Sequence, residues 1–448
     1  MSTGGTLRGA SDIASVVKPL SGRVVGVSRT APGSGIGNVG SPQYGGGVAG
    51  YSELLRAPGV ARIIAAQLTA RFPSGMTSLA VLLHVEQSTG SYGAAGIVLA
   101  ALSIGQAISG PVTSRWMGVW GMRRVLTLTA AVCAAAVLAL AINPFGMVGF
   151  IVFGFVAGIA NPPVQPAVRT IYPKIVTSRQ LTPLFSLDAS LQEIIWIFAP
   201  VLITLVATQA GTVPALYLIV VILIGGCAWF IASPEVGRVR IPRSRRGFGR
   251  VLGKPVVLLS TVTGFLLIGA CAAVEAGVVA TFGHEGLEAG IVLAVFAVGS
   301  LAGGLGFGHI PIGRWAMARR LTIVAVGVTL VIVSLNAWWM GASLFVAGLG
   351  IAPALAVMFA ITSASVRFSE TAEAYGWIGT GQLIGAAAGS AVAGFLIDGA
   401  GPVGAFIAAS GFGIAGALVA VICVRGFPDL RGRDASPIPD TEPVPLIT

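Results

Sequence analysis

PEVGRVRIPRSRRGFGRVLGK, residues 234–254, is a basic loop between two long apolar blocks. It carries seven Lys or Arg residues and one acidic residue. Six long apolar segments precede the loop and six follow it. The loop therefore indicates a joint between two halves of similar construction.

Composition places the chain in a membrane. Of its 448 residues, 55% are hydrophobic and only 10% are charged, too few to cover a water-facing surface of this size. The net charge of +11 arises from basic residues between apolar spans, where they face anionic lipid headgroups, so we expect no nucleic-acid partner. The cysteines and histidines show no metal-ligand spacing, and we expect no metal or other cofactor.

Twelve apolar segments are long enough to cross a bilayer, which takes roughly 20 residues. The sequence predicts an all-α integral membrane protein with twelve transmembrane helices in two pseudo-symmetric six-helix bundles. The predicted spans are 60–84, 92–114, 125–143, 146–166, 184–207, 213–233, 255–281, 289–309, 321–339, 343–365, 375–397 and 403–424.

Charge in the connections predicts topology. Lys and Arg occur in alternate connections, so both termini and the loop are expected in the cytoplasm, and the protein in the cell membrane. The predicted regions are a disordered cytoplasmic tail (1–53), an N-terminal bundle (54–233), a basic cytoplasmic linker (234–254), a C-terminal bundle (255–425) and a flexible cytoplasmic tail (426–448).

The two halves share sequence at a nearly constant offset. Phe155-Val156-Ala157-Gly158 recurs as Phe345-Val346-Ala347-Gly348, an offset of 190 that also pairs Pro163 with Pro353 and Gln192 with Gln382. Two parallel repeats joined by a loop predict a pseudo-twofold axis along the membrane normal, with a cavity at the repeat interface.

Twelve spans in two halves around a basic loop resemble the major facilitator superfamily, over roughly residues 54–425. The family's signature between spans 2 and 3 is matched in part, because Gly118 and Val119 stand where the family has Asp-Arg. The family's efflux members have an Arg in span 4 that has no counterpart here, and their span-5 Gly-Pro is Ala199-Pro200. The positions that match the signature, which the resemblance assigns to gating, are Gly110, Gly121, Arg123 and Arg124.

Four ionisable residues lie well inside the apolar spans: Arg71, Asp188, Glu193 and Glu275. A charge in lipid costs several kcal/mol, so each is expected to face the bundle interior. Arg71 and Glu193 lie at similar depths, and we predict that they are electrostatically coupled. Three interpretations stay open: a structural ion pair, a proton-titrating Glu193 controlled by Arg71, or an Arg71 that binds an anionic substrate.

The carboxylates of span 5 are expected to face different neighbours. Asp188 and Gln192 share a helix face, whereas Glu193 lies about 140° around the helix from Asp188. Asp188 is a candidate either for closing a gate or for transport. Glu275 is placed toward the outer side, as a proton or substrate site or as an outer-gate residue.

Span 4 contains Asn161-Pro162-Pro163-Val164-Gln165-Pro166, and prolines in a helix free backbone carbonyls and permit kinks. Asn161 and Gln165 are expected one turn apart as substrate ligands, or else the segment is only a hinge. Gln192 is a further substrate-binding candidate, and its repeat partner Gln382 a weaker one.

The sequence shows neither a catalytic cluster nor a phosphate-binding loop with its Lys-Ser/Thr, so it predicts neither an enzyme nor ATP-driven transport. We predict a monomeric, proton-coupled exporter, a proton antiporter for a small amphipathic metabolite or drug, with Glu193 as the proton carrier. Its partners would be the small-molecule substrate, protons and membrane lipid. The first alternative is a proton-coupled importer of a small solute, with an anionic solute as one possibility. The second is a non-transporting membrane scaffold of the same fold.

Overall fold

The computed structural model describes residues 48–142, 145–244, 247–282, 287–308, 310–433 and 435–440. Their backbone is almost entirely α-helical, which confirms the predicted fold class. The helices are α1 (Val48–Arg56), α2 (Val60–Thr89), α3 (Tyr92–Trp120), α4 (Met122–Ile142), α5 (Gly146–Ile159), α6 (Val164–Ile175), α7 (Ser178–Gln209), α8 (Thr212–Ala232), α9 (Pro234–Arg238), α10 (Pro255–Phe282), α11 (Leu287–Phe307), α12 (Ala316–Leu330), α13 (Ala337–Ser363), α14 (Phe368–Ala400) and α15 (Pro402–Ile422).

Local sequence explains how these long helices begin and end. Ser91 caps α3 by accepting a hydrogen bond from the Ala94 amide, 3.2 Å away. Gly121 ends the same helix with φ of 89°, a conformation that a side chain disfavours. Thr177 and Gln180 form a capping box at the start of α7. These caps therefore fix both ends of α3 and the start of α7.

Eleven helices in the described part of the chain are long and apolar enough to cross a membrane. The remaining long helix, α2, has 30 residues. Its polar residues, including Arg62, Gln67 and Arg71, lower its hydropathy, but it packs against α7 and α8 as a twelfth span. The twelve predicted spans are therefore present, with the fourth divided into α5 and α6.

The two halves pack in the same way. α2 lies against α8 as α10 lies against α15, and α3 lies against α5 as α11 lies against α13. The repeated glycines explain the second pair of contacts. A Cβ atom at Gly158 would overlap the carbonyl oxygen of Leu102, and one at Gly348 would overlap that of Phe296. The offset seen in the sequence therefore corresponds to equivalent helix contacts.

The fourth span is not the continuous helix predicted over 146–166. α5 ends at Ile159 and α6 begins at Val164, with Asn161, Pro162 and Pro163 between them. Two consecutive prolines remove two amide donors, which breaks the helix. α13, the counterpart in the second half, carries the single Pro353 and stays continuous.

The end of the bundle at which the linker 234–254 lies is called here the linker side, and the opposite end the far side. Between described residues, the hydrogen bonds and ion pairs that join the N-terminal half (α2–α8) to the C-terminal half (α10–α15) occur in the middle or on the linker side. Examples are Thr380 Oγ1 to Ala107 O at 2.7 Å and Ser186 Oγ to Gly304 O at 2.6 Å. The halves are therefore closed against each other on the linker side.

The described chain ends are more ordered than the sequence suggests. Helix α1 begins at Val48, inside the segment predicted as disordered, while residues 1–47 and 441–448 lie outside the described residues. Residues 427–433 and 435–440 pack on the linker side, in place of the flexible tail predicted from Gly426. Their contacts are backbone bonds from Leu430 to Ile312 (2.8 Å) and from Ile438 to Val366 (3.0 Å), and a Ser369–Asp440 bond of 2.6 Å.

Candidate functional site

Asp188 on α7 is the centre of a buried charge cluster. Its side chain is fully buried and accepts hydrogen bonds from two arginines. Arg71 Nη1 of α2 lies 3.2 Å from Oδ1, and Arg169 Nε of α6 lies 2.9 Å from Oδ2. Gln67 Nε2 donates to Oδ1 as well, at 3.1 Å. Asp188 therefore joins three helices of the N-terminal half.

Glutamines complete the polar shell. Arg71 donates to Gln67 Oε1 at 2.9 Å and to the Gln192 side-chain oxygen. With its amide oriented to satisfy its neighbours, Gln165 accepts from Arg169 Nη1 at 2.8 Å and from Arg71 Nη2 at 3.1 Å. We call this set the arginine cluster: Gln67, Arg71, Gln165, Arg169, Asp188 and Gln192.

The arginine cluster is positively charged. It contains two guanidinium cations and one carboxylate, and the arginine side chains are only 8% and 2% exposed for Arg71 and Arg169. A buried ion pair must offset a desolvation cost of several kcal/mol per ion, which needs good geometry and further hydrogen bonds. The glutamines supply those bonds, but no second anion balances the second arginine within the described cluster.

The C-terminal half covers the cluster. The Arg169 Cζ atom lies 3.4 Å from the ring centroid of Phe359 on α13. Phe359 in turn packs edge-to-face against Tyr375 of α14, with ring centroids 5.9 Å apart. Since α13 and α14 belong to the other half, separation of the halves on the linker side would uncover Arg169.

Glu193 faces away from the cluster and contacts the C-terminal half. Ser300 Oγ of α11 donates to Glu193 Oε1 at 2.9 Å and accepts from the Ala352 amide at 3.2 Å. The predicted pairing of Arg71 with Glu193 is therefore wrong in this structure, because Arg71 pairs with Asp188. The predicted difference in orientation holds: Asp188 and Gln192 both contact Arg71, whereas Glu193 does not.

Glu275 lies in the far-side third of α10. It is exposed and lines an open cavity of about 550 Å³ together with Ala272, Ala276, Val279, Ala280 and Ser390. The walls are mostly apolar. The Glu193 and Glu275 carboxylates interact electrostatically, although they belong to opposite halves. Each half thus contributes one of the predicted carboxylates.

A second ion pair closes the linker side. Arg115 Nη1 of α3 lies 2.7 Å from Glu373 Oε2 of α14, and the Gly249 amide of the linker donates to Glu373 Oε1 at 2.8 Å. Gly110 allows this approach, since a Cβ atom there would lie 2.9 Å from the Gly376 carbonyl oxygen. The charge pair across the halves is present, although Gly118 and Val119 replace the family's Asp-Arg.

The other predicted residues lie outside these contacts. Asn161 is in the break between α5 and α6, where its carbonyl accepts from Ser109 at 3.3 Å. Gln382 of α14 is half-buried, and its Nε2 atom has no partner among the described residues. Arg123 and Arg124 are exposed at the start of α4. Asn161 and Gln165 therefore do not form the predicted helical pair.

Sequence reasoning missed five contributors: Gln67, Arg169, Ser300, Phe359 and Glu373. Arg169 lies beyond the end of the predicted span 146–166, where the apolar run stops. The available signals were spacings of four residues, from Gln165 to Arg169 and from Gln67 to Arg71, since that spacing puts both members on one helix face. Ser300, Phe359 and Glu373 act across the halves, which no local pattern reveals.

No group of three or more His, Cys, Asp or Glu residues that suits a metal ion occurs in the described ranges.

The family model of the Major Facilitator Superfamily matches residues 63–335. The chain belongs to the major facilitator superfamily. It is thus a multi-pass membrane protein with a transporter fold.

Solved structures of major facilitator proteins share the fold at low sequence identity. A bacterial homologue of the iron transporter ferroportin, in an outward-facing state, is 12% identical with a TM-score of 0.66, over 81% of this chain and 98% of that chain. The human organic anion transporter MFSD10 is 15% identical with a TM-score of 0.61, over 81% and 100%. The E. coli fucose:proton symporter FucP is 14% identical with a TM-score of 0.61, over 81% and 98%. No curated protein sequence matches the chain.

Proposed function

We propose that this major facilitator protein is a proton-coupled secondary transporter that exports a small amphipathic compound, with Glu193 as the proton carrier. The observation that carries the proposal is the hydrogen bond between Glu193 and Ser300. It places a titratable carboxylate at a contact between the two halves, near the middle of α7. A proton on this carboxylate therefore acts on the contact that alternating access must break.

Protonation changes the strength of that contact. A charged carboxylate accepts a hydrogen bond roughly twice as strong as a neutral group does. Deprotonated Glu193 thus favours the described arrangement, with the linker side closed. Protonated Glu193 holds Ser300 less strongly and shifts the population toward the state that opens on the linker side.

Glu275 gives the proton a route to Glu193. It lies in the cavity toward the far side, where it can exchange protons with water. Because the Glu275 and Glu193 carboxylates interact electrostatically, the two negative charges repel each other, and protonation of one favours ionisation of the other. We propose that protons enter at Glu275 and pass to Glu193.

The direction of transport follows from the proposed topology. The linker side is taken as cytoplasmic, because Lys and Arg occur in alternate connections. Pro200 in α7 stands where the efflux members have the proline of their Gly-Pro, which favours export, whereas Ala199 in place of the glycine and the missing span-4 Arg count against it. Protons moving inward through Glu275 and Glu193 would then drive the compound outward.

Proton-coupled import is the second candidate. The cavity at Glu275 is open and lies in the far-side part of α10, so that a solute and a proton could enter it together. In that case both would be released on the linker side after the halves rock. The two candidates require opposite responses of substrate flux to the same pH gradient.

The test has two stages. Comparison of compound efflux and sensitivity in cells with and without the protein identifies a substrate. Purified protein in liposomes is then given an inward pH gradient, and the flux of that substrate is followed. Substrate movement opposite to the protons and against its own concentration gradient supports export. Substrate movement in the same direction as the protons supports import, and a substrate flux independent of the pH gradient contradicts both. Absence of any flux by the folded protein would support the scaffold alternative.

A further inference from the structure

The break in span 4 places the start of a helix beside the arginine cluster. Gln165 is the second residue of α6, and its side chain contacts both Arg71 and Arg169. Pro163 at the N-cap supplies no side-chain hydrogen bond, and Pro166 has no amide hydrogen. Among the described residues, the Gln165 amide hydrogen has no backbone acceptor.

Such a helix start favours anions. Unpaired amide groups and the helix dipole give the N-terminus a partial positive charge. In membrane transporters, half-helix N-termini at the midplane are suited to anionic substrate groups. The start of α6 therefore adds positive potential to a cluster that already has more guanidinium groups than carboxylates.

The charge balance of the cluster points the same way. Asp188 is shared by Arg71 and Arg169, which leaves one positive charge without a counter-ion. The Tyr172 hydroxyl on α6 is fully buried and has no hydrogen-bond partner within 3.5 Å in the described structure, and it interacts electrostatically with Asp188 and with both arginines. An anion beside these groups would balance the charge and give the hydroxyl an acceptor.

We propose that Arg71, Arg169 and the first turn of α6 bind the carboxylate, or an equivalent monoanionic group, of an amphipathic compound. Asp188 stands in for this group in the described state, while Phe359 closes the site. When the halves separate on the linker side, Phe359 withdraws from Arg169 and the compound gains access. That the bound anion is the transported compound rests on the proposed transport function. The presence of the anion-binding site does not depend on that function.

The first test compares three probes that differ only in charge: benzoate, benzamide and benzylamine. Purified protein is heated in chloride-free buffer with increasing concentrations of each probe, and the melting temperature is recorded. The site predicts a dose-dependent rise with benzoate and none with benzamide or benzylamine, because only benzoate supplies the missing negative charge. Equal effects of benzoate and benzamide, or no effect of benzoate, would overturn the proposal.

Variants localise the effect. Arg71→Gln and Arg169→Gln should each reduce benzoate binding at least tenfold. The matched control is Arg179→Gln, which removes an exposed arginine at the start of α7 and should leave the benzoate response unchanged. Retention of the benzoate response in both cluster variants would show that benzoate binds elsewhere.

Chemical rescue covers the case in which the arginine variants fail to fold. Asp188→Asn leaves both arginines without their carboxylate, and added acetate should raise its melting temperature more than that of the unmodified protein. Asp398→Asn, which removes an exposed carboxylate near the end of α14, is the matched control and should show no such gain. Equal effects of acetate on the Asp188 and Asp398 variants would contradict the site.

One further variant separates this proposal from the proposed function. Glu193→Gln lies outside the arginine cluster and should retain benzoate binding, at least as tight as in the unmodified protein, because its linker-side-open population is larger. If Glu193→Gln binds benzoate but proton coupling is absent from the unmodified protein, only the proposed function fails. If proton coupling is present and benzoate binding is absent, only the anion site fails.

Discussion

Arg71 of α2 forms an ion pair of 3.2 Å with Asp188 of α7, and Asp188 also binds Arg169 of α6 at 2.9 Å. One carboxylate thus holds two buried arginines. Glu193, five residues further along α7, is left for the contact with Ser300 in the other half. The division of roles along α7 separates a charge cluster inside one half from a titratable contact between the halves.

Loss of Asp188 should destabilise the protein strongly. Asp188→Asn leaves two buried guanidinium groups unpaired, and removal of one partner from a buried pair costs about 3–5 kcal/mol. The double variant Asp188→Asn/Arg169→Gln returns the cluster to one positive charge and should recover part of the lost stability. Melting temperatures of purified protein measure both changes. Additive losses in the double variant would show that the two residues are not coupled.

The Arg115–Glu373 pair should hold the linker side closed. Neutralisation by Glu373→Gln removes the charge that joins α3, α14 and the linker amide, and the linker-side-open population should rise. Spin labels on the exposed residues Val119 and Arg314 report the separation of the halves on this side. A longer distance population in the variant supports the lock, with Arg179→Gln as a control. An unchanged distance distribution would show that helix packing alone closes this side.

The break between α5 and α6 should be needed for function more than for folding. Pro162→Ala/Pro163→Ala restores two amide donors and favours a continuous helix, which turns Gln165 and Arg169 away from Asp188. We expect a folded protein whose melting temperature falls less than that of Asp188→Asn, because Arg71 keeps its carboxylate, and a loss of at least tenfold in substrate flux. Pro353→Ala in the continuous α13 is the matched control. Full substrate flux in the double proline variant would show that the break between α5 and α6 is not needed for transport.

Topology can be checked independently of transport. Reporter fusions at residue 245 should register as cytoplasmic and fusions at 284 and 400 as external, because basic residues favour the inner side. The proposed direction of proton movement depends on this orientation. An external signal at residue 245 would invert the linker side and the far side.

The twelve spans and their repeat could be predicted because both depend on local properties. Apolar length sets a span, and the offset of 190 residues between the repeated motifs fixes which spans correspond. The position of Arg169 could not be predicted in this way. It lies beyond the apolar run, between Pro166 and Pro173, and Phe359 from the other half lies over its guanidinium group.

The choice of the wrong partner for Arg71 has a specific origin. The apolar pattern starts span 5 at residue 184, whereas α7 begins at Ser178 with a polar first turn. Measured from the true helix starts, Arg71 is 11 residues into α2 and Asp188 is 10 residues into α7, at similar depths of about 17 Å and 15 Å. Depth was the correct criterion, but the polar turn hid where the helix begins.

The most direct test of the central claim measures how the two states respond to pH. Spin labels at Val119 and Arg314 on the linker side, and at Ile142 and Trp338 on the far side, are exposed and report both openings. Distances are recorded in lipid nanodiscs between pH 5.5 and 8.5, for the unmodified protein and for Glu193→Gln.

Because one proton on Glu193 controls the contact with Ser300, the ratio of the states should change by at most about tenfold per pH unit. We expect the linker-side-open population of the unmodified protein to grow as the pH falls. In Glu193→Gln we expect the linker-side-open population to be high at every pH. A pH response that persists undiminished in Glu193→Gln, or its absence from the unmodified protein, would contradict the role of Glu193 as the proton carrier.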